Sequence, residues 1–386
     1  NLKAVPIPVA LALFDASTGE QLVLHADTLF ENNVKDGMYL FDTDEATLVF
    51  TGIQSKPIAS LLRNFSAPVN LEFNYSDEDL AFLLRYETNG FNQWQATQIL
   101  LERILLNGHD ANIYISAMKN TIPDLIQKDP LLVSRLFDVP TEGYLGSRID
   151  QDYNPLVIQE NRNSLLETLA RAFGSFCKET YLVLDPTVQK EFSQAMGVRA
   201  LKNIMLSMIA RQGDESAFQL ANEQYKSTGN MSERLGALKV LVWNDAPQAE
   251  SALIDFYLRF KDEALSMDQW FMIQAAHPKA DAETIAYLTS HPDYDLAVPN
   301  RIRSVSGGLN ANPVNTWSFG VQHFIHLAKY LDEKNPIIGS RLLQVLSRWY
   351  TLAEPQRSEV KKQLEMLKPS VKSKNVSETL NSMLNT

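Results

Sequence analysis

The chain has 386 residues, is 45% apolar and 21% charged, and carries a net charge of −11 at pH 7, which is typical of a soluble globular protein with two cores. The acidic balance argues against nucleic acid and anionic membranes as partners, because both require a concentrated basic surface. No apolar run approaches the roughly twenty residues needed to cross a bilayer, and no signal peptide is visible. The start at Asn1 and Leu2, without Met, suggests a fragment of a longer protein.

Residues 1–76 have the pattern of a small all-β domain. Val5–Phe14 is rich in branched and aliphatic residues, and the polar stretch Asp15–Glu20 predicts a hairpin turn. Further strands are predicted at residues 22–24, 37–41, 45–50 and 69–75. In the last of these, apolar residues alternate with polar ones, as in a half-buried strand. About five to seven short strands indicate a small sandwich.

At Ser76 the apolar period changes from two to about 3.6. Ser76 stands three residues before Asp79, which is the spacing of a capping box, and leucines follow at helical spacing. A second helix start is predicted at Asn92. We therefore expect a domain boundary here, with one domain at residues 1–76 and another at residues 77–386.

The second domain is predicted to be a succession of helices separated by polar or proline-bearing turns. The predicted helices are residues 93–106, 155–173, 187–211, 215–226, 232–243, 246–261, 268–276, 282–290, 319–331, 336–350 and 353–368. Short connections favour antiparallel neighbours, and stacked helical hairpins form a solenoid of the armadillo or HEAT kind. Since no fixed-period repeat is visible, the solenoid is inferred from helix order alone.

The common catalytic motifs are missing from the sequence. It contains no His-Glu-x-x-His, no G-x-S-x-G, no P-loop and no G-x-G-x-x-G. His323 and His326 lie three residues apart on a predicted helix, but with only Asp332 and Glu333 nearby, partly buried histidines are favoured over a zinc site. Cys177, the one cysteine, has apolar neighbours, which predict a buried thiol in a protein from a reducing compartment. We expect no catalytic residue and no metal site in this chain.

A pair of arginines follows Pro299. Arg301 and Arg303 can flank a chain turn with both guanidinium groups available for carboxylates, and Ser306–Gly308 can offer backbone amides to an anion. The alternative, which the sequence alone favours, makes both arginines surface or interhelical ion-pair residues.

Several segments resemble the C-terminal half of the aminopeptidase N family of zinc metallopeptidases, in its bacterial alanyl aminopeptidase branch. The similar segments lie at the β-to-α junction and along the helical region, so that the resemblance covers nearly the whole chain. They are Phe65–Val69, Ser76–Asp77, Phe82–Arg85, Asn230–Ser232, Met267–Asp268, Trp270–Phe271, Ile273–Ala275, Pro299–Ser304, Asn335–Pro336 and Ser340–Leu342.

The resemblance implies a mainly α fold with a small all-β N-terminal domain: an immunoglobulin-like β-sandwich followed by an armadillo/HEAT-like α-helical solenoid. It implies a non-catalytic piece of an exopeptidase that removes N-terminal amino acids from peptides. One zinc ion would lie in the catalytic domain, which would come from a part of the polypeptide outside this chain. The helical domain would cap that domain, with Arg303 and Arg341 facing the enclosed cavity and holding a peptide carboxylate or backbone.

The partners implied by the resemblance are the N-terminal and catalytic domains of the same polypeptide and a peptide substrate, in a cytoplasmic monomer. Between Ser304 and Arg341 the sequence departs from the family, because Asn315–Gly320 replaces its Asp-Gly-Ser-Gly-Tyr segment, so we expect altered specificity. The alternative is a stand-alone helical-repeat scaffold that binds a peptide or protein on its concave face. A second and weaker alternative is a cryptic enzyme with a site built from Arg303 and scattered carboxylates. The aminopeptidase fragment and the stand-alone scaffold are distinguished by the parent reading frame: a His-Glu-x-x-His domain encoded upstream of Asn1 favours the fragment.

Overall fold

The computed structural model describes residues 5–24, 34–35, 37–213 and 215–385. The chain forms two compact units, of which the first contains residues 1–139 and 185–201 and the second residues 140–184 and 202–386. Within the described ranges, no helix has the length and apolar character needed to span a membrane.

The first unit begins with a four-stranded antiparallel sheet. Its strands are β1 (Ile7–Asp15), β2 (Val34–Lys35), β3 (Met38–Phe41) and β4 (Pro57–Leu61). They are ordered β2-β3-β1-β4, with Leu11 of β1 opposite Leu61 of β4. The predicted turn after β1 is confirmed: the Asp15 carboxylate accepts from the Ser17 amide at 2.7 Å, and Gln21 returns to lie opposite Phe14.

Three of the predicted strands are wrong. Residues 22–24 continue from the Gln21 bridge without forming a strand, and 45–50 contains only an isolated bridge residue, Phe50. Residues 69–75 are not in a strand either, and Val69, Leu71 and Phe73 are all exposed. The amides at either end of this segment bond locally, Val69 N–H to the Ala67 carbonyl and Tyr75 N–H to the Phe73 carbonyl. Alternating apolar and polar residues form a β-strand only where a neighbouring strand offers free backbone groups for hydrogen bonding.

The remainder of the chain is mainly helical. Its α-helices are α1 (Asp77–Tyr86), α2 (Gly90–Asn107), α3 (Ala111–Leu125), α4 (Pro130–Leu136), α5 (Glu142–Ser147), α6 (Pro155–Val183), α7 (Phe192–Ala210), α8 (Glu215–Ser227), α9 (Met231–Trp243), α10 (Ala249–Phe260), α11 (Ala264–Ala275), α12 (Ala282–Thr289), α13 (Pro299–Asn310), α14 (Pro313–Asn315), α15 (Val321–Lys334), α16 (Pro336–Leu343), α17 (Gln356–Leu367) and α18 (Lys374–Leu384). The predicted class, a small N-terminal antiparallel sheet followed by a mainly helical region, is confirmed.

The change of period at Ser76 marks a real helix start. Ser76 Oγ accepts from the Asp79 amide at 3.0 Å while the Asp79 carboxylate accepts from the Ser76 amide at 3.0 Å, which is the predicted capping box. The second predicted cap is wrong: Asn89 caps α2, while the buried Asn92 donates to Ser60 Oγ and to the Leu61 carbonyl. Asn92 therefore joins α2 to strand β4 within the first unit.

The second unit contains successive pairs of helices, α8 with α9, α10 with α11, and α12 with α13. Short loops make neighbours antiparallel, so that α9, α11 and α13 are parallel to one another and lie side by side. Trp243 Nε1 of α9 donates to the Ile273 carbonyl of α11 at 2.9 Å, and Trp270 Nε1 of α11 donates to the Leu253 carbonyl of α10 at 3.0 Å. Together α9, α11 and α13 form what we call the parallel layer.

The C-terminal helix α18 is anchored by one buried carboxylate. Asp332, at the end of α15, accepts from the Lys372 amide at 2.6 Å and also from the amide and hydroxyl of Ser373, the residue that caps α18. Burial alone would raise the pKa of Asp332, but these hydrogen bonds together with the Lys372 charge hold it below its ordinary value.

We expect Asp332→Asn to destabilise the protein by about 1–3 kcal/mol at pH 7, because an amide cannot accept all of these hydrogen bonds. Since the folded-state pKa is lowered, the stabilisation is present above the unfolded value near 4 and is lost as the pH falls through the folded value. Urea unfolding between pH 3 and pH 7 should therefore show a smaller pH dependence in the variant. Glu333→Gln, which removes the exposed ion pair with Lys372, is the matched control and should cost at most about 1 kcal/mol. Equal losses of stability in Asp332→Asn and Glu333→Gln would contradict the role of Asp332 as the anchor of α18.

Candidate functional site

Arg303 lies on the exposed side of α13. Its guanidinium Nη1 donates to Asn300 Oδ1 at 3.3 Å, one helical turn earlier. Pro299 stands at the first helical position, where its missing N–H costs nothing, and it fixes the start of the helix. The prediction of a chain turn at Arg301 and Arg303 is therefore wrong, because both residues lie inside a helix and point to different sides of it.

Arg301 is buried and holds the interior of the parallel layer together. Its Nε donates to Asp268 Oδ1 of α11 at 2.8 Å, its Nη1 donates to the Asp293 carbonyl, and its guanidinium stacks 5.0 Å from the centre of the Phe271 ring. The alternative of an interhelical ion pair is confirmed for Arg301. Its guanidinium group is thus not available to a ligand, and Arg303 alone of the two presents its charge to solvent.

The sequence predicts that the glycines after these arginines can form an anion-binding loop. This prediction is wrong. Gly307 and Gly308 lie within α13, where their amides serve the helix. A Cβ atom at Gly308 would lie 2.7 Å from Ala275 Cβ and 2.8 Å from the Met272 carbonyl oxygen of α11. Gly308 therefore permits the close approach of α13 to α11. This contact fixes the position of α13, the helix that carries Arg303.

Arg341, the other predicted ligand residue, is exposed in the last turn of α16. Helix α16 packs on α15, where Gly339 approaches the Ala328 carbonyl closely enough that a Cβ atom would lie 3.2 Å from it. Both predicted arginines are therefore exposed in the second unit, and a role for either in binding remains a prediction.

The segment Asn315–Gly320 has an unusual backbone. Residues Thr316–Gly320 form a π-helical turn between α14 and α15, with Ser318 outside helical geometry. Trp317 is buried, and its carbonyl accepts from Gln356 Nε2 at 2.6 Å. Ser318 Oγ donates back to the Val314 carbonyl at 2.8 Å. This segment is thus a tightly bonded helical turn.

The candidate metal ligands are not arranged for a metal ion. His323 Nε2 lies 3.4 Å from Ser306 Oγ, while burial and then the His326 charge lower the pKa of His323 to about 4, so it is neutral at pH 7. Across the described residues, no group of three or more His, Cys, Asp or Glu side chains is placed to hold a metal; His25 lies outside them. Cys177 is fully buried, as predicted, and burial raises its pKa to about 12.

The exposed side of the parallel layer also presents residues that the sequence analysis did not single out. Lys239 of α9 is exposed and its Nζ lies 4.0 Å from the centre of the Trp243 ring, one turn further along the helix. On α11, Gln269 is exposed and Met272 is half-buried. The sequence signal available for these residues was the i, i+4 spacing of Lys239 and Trp243, which is common on helices.

Two family models match separate parts of the chain. Residues 77–385 match a family described as a domain of unknown function with ARM repeats (DUF3458_C), and residues 1–74 match one described as a domain of unknown function with an Ig-like fold (DUF3458). The chain belongs to the DUF3458_C family, whose model matches residues 77–385. The predicted Ig-like and armadillo-like fold class is confirmed by these descriptions.

Relatives of the chain are aminopeptidases. It is 28% identical over 379 residues to aminopeptidase N of Escherichia coli K12, and the match covers 94% of this chain but 42% of that protein. It is 29% identical over 327 residues to aminopeptidase N of Caulobacter vibrioides, covering 80% of this chain and 37% of that protein. In each case the chain matches the C-terminal part of a longer protein.

A solved structure has the same fold. The crystal structure of Legionella pneumophila aminopeptidase A in complex with aspartic acid superposes with a TM-score of 0.85 and 24% sequence identity, covering 98% of this chain and 45% of that one. At this level of identity the match supports the fold.

Proposed function

We propose that this chain is the non-catalytic C-terminal part of a zinc-dependent aminopeptidase that removes N-terminal amino acids from peptides. The observation that carries the proposal is that 94% of the chain matches 42% of an aminopeptidase N. The zinc ion and catalytic residues would belong to other domains of the same polypeptide. The helical region, residues 77–386, would cap the catalytic domain, with residues 1–76 as the small β-domain before it, in a cytoplasmic bacterial monomer.

Arg303 and Arg341 support a role in substrate access. Both carry their charge to the surface of the second unit, on α13 and α16, whereas Arg301 is committed to Asp268. A guanidinium group offers several donors in a fixed plane and suits a peptide carboxylate or backbone carbonyl. Such contacts bind and orient the substrate and leave bond cleavage to groups outside this chain.

The proposal is tested by comparing this chain with the full product of its reading frame. We expect the full-length protein to hold one zinc ion and to hydrolyse alanyl amides, and this chain to do neither. Stoichiometric zinc and turnover in this chain, persisting through further purification, would refute the proposal. An upstream sequence without a His-Glu-x-x-His domain would favour the stand-alone scaffold.

We further expect Arg303→Ala in the full-length protein to raise KM by about fivefold with little change in kcat, because an exposed ionic contact made equally in the ground and transition states is lost. Steady-state kinetics on peptide substrates provide the measurement. Arg171→Ala is the matched control: Arg171 is also exposed and also donates one turn back, to Thr168 Oγ1 at 3.1 Å, but on α6. Unchanged kinetics in Arg303→Ala, or an equal change in Arg171→Ala, would remove Arg303 from the site.

A further inference from the structure

Two Asn-Gly pairs stand at the two ends of helix α2. Asn89–Gly90 lies at its start and Asn107–Gly108 at its end. Asparagine followed by glycine is the pair most prone to cyclise, because no side chain keeps the glycine amide nitrogen away from the asparagine side-chain carbon. Both pairs belong to the first unit and have the same local chemistry, so the surroundings of each asparagine decide its reactivity.

The side chain of Asn89 is held at both of its polar atoms. Its Oδ1 accepts from the Asn92 amide at 3.1 Å, as the cap of α2, and its Nδ2 donates to Asn64 Oδ1. A Cβ atom added at Gly90 would lie 3.2 Å from Leu132 Cδ2, so the glycine itself packs against α4. Cyclisation of this pair would break both hydrogen bonds at a half-buried position.

Asn107, the last residue of α2, has neither restraint. Asn107 and Gly108 are both exposed, and within the described part of the chain the Asn107 side chain has no hydrogen bond. Gly108 has a φ of +71°, and a Cβ atom added to it would meet no atom within 4 Å. Its amide donates to the Arg103 carbonyl, but this bond lies in the terminal turn of a helix, where local opening costs least.

We propose that Asn107 is a site of spontaneous deamidation, with water as the co-reactant, and that the fold protects Asn89 from the same reaction. The Gly108 nitrogen loses its proton and attacks Asn107 Cγ. A bond forms between these two atoms, the Cγ–Nδ2 bond breaks, and Nδ2 leaves as ammonia with that proton. Water then opens the succinimide ring: addition at Cγ gives aspartate, and addition at the main-chain carbonyl carbon gives isoaspartate. Either product carries one new negative charge.

The products change the contacts at the end of α2. A carboxylate at position 107 stands at the negative end of the helix dipole, where negative charge is unfavourable. Isoaspartate also lengthens the main chain by one carbon, which moves the Gly108 and His109 amides away from the Arg103 carbonyl that both contact. His109 Nδ1 lies 2.5 Å from Asp77 Oδ2, at the first residue of α1. Deamidation therefore loosens the contact between the end of α2 and the start of α1.

The two pairs can be compared in one sample of this chain, because trypsin places them in different peptides, residues 86–103 and 104–119. We expect prolonged incubation of the folded chain at mildly alkaline pH to add about 1 Da to peptide 104–119 about tenfold faster than to peptide 86–103. In unfolding guanidinium chloride the two rates should agree within about twofold, because both pairs then lie in an open chain. Fragment-ion spectra locate each change within its peptide.

Asn107→Gln is the matched control, because glutamine keeps the amide but would have to close a larger and less favourable ring. It should abolish the change in peptide 104–119 and leave peptide 86–103 as before. Asn107→Asp carries the charge of the product from the start and should lower the urea midpoint of freshly prepared protein. An unchanged midpoint in this variant would contradict the loosening at the end of α2.

Equal rates at Asn89 and Asn107 in the folded chain would overturn the proposed site, and so would a peptide 104–119 that stays unmodified. A difference that persists undiminished in guanidinium chloride would also overturn it, since the selectivity would then come from neighbouring residues in the sequence and not from the fold.

Discussion

Gly308→Ala is expected to destabilise the second unit by about 1–3 kcal/mol, although alanine favours a helix over glycine by up to about 1 kcal/mol. The new methyl carbon would lie 2.7 Å from Ala275 Cβ, 2.8 Å from the Met272 carbonyl oxygen and 3.0 Å from the Ala276 amide nitrogen. Two of these are backbone atoms, which cannot rotate away. Helix α13 must therefore move from α11, which also displaces Arg303.

Gly307→Ala is the control for this prediction and should raise the free energy of unfolding, whereas Gly308→Ala lowers it. Its methyl group would meet only Met272 Cε, at an ordinary 3.9 Å, so the gain in helix propensity is retained and the unit is stabilised by up to about 1 kcal/mol. Urea unfolding followed by tryptophan fluorescence measures both, because Trp243 and Trp270 lie in the same layer. Stabilisation by both substitutions would show that α13 and α11 tolerate a wider separation.

Local signals in the sequence located the elements that support the site. The capping box at Ser76 and the periodic leucines behind it identify α1 with its correct start, because both signals act within one helical turn. Likewise, the predicted helix at 232–243 agrees with α9 to within one residue. Helix α13 is not predicted from the sequence: Pro299 is a start signal, but Gly307 and Gly308 together indicate a loop. Only the contact with α11 explains why a glycine stands at position 308 inside a helix.

Long-range relations account for the remaining differences. The alternation at 69–75 could not show that no strand pairs with it, and the spacing of Arg301 and Arg303 could not show that one is buried while the other is exposed. The register of α9, α11 and α13, which are separated by about 30 residues in sequence, is another relation of this kind. That register is set by Asp268 and Ile273, through their contacts with Arg301 and Trp243, and single-helix patterns do not contain it.

A second large loss of stability is expected when Arg301 is replaced. Arg301→Met should destabilise the second unit by about 3–5 kcal/mol, because it leaves the Asp268 carboxylate, whose side chain is 13% exposed, without its cation and leaves the Asp293 carbonyl without its donor. Arg303→Met, two residues on, should cost less than about 0.5 kcal/mol, since that side chain is exposed.

A second substitution separates the ion pair from simple packing. If the loss in Arg301→Met arises from an uncompensated buried charge, then Asp268→Leu in the same chain should recover part of it, because a well-packed apolar pair can replace a buried ion pair at little cost. If the loss arises from the guanidinium stacked on Phe271, then Asp268→Leu should recover none of it. Urea unfolding of the two single variants and the double variant decides between these causes. Equal stability of Arg301→Met and Arg303→Met would contradict the structural role assigned to Arg301.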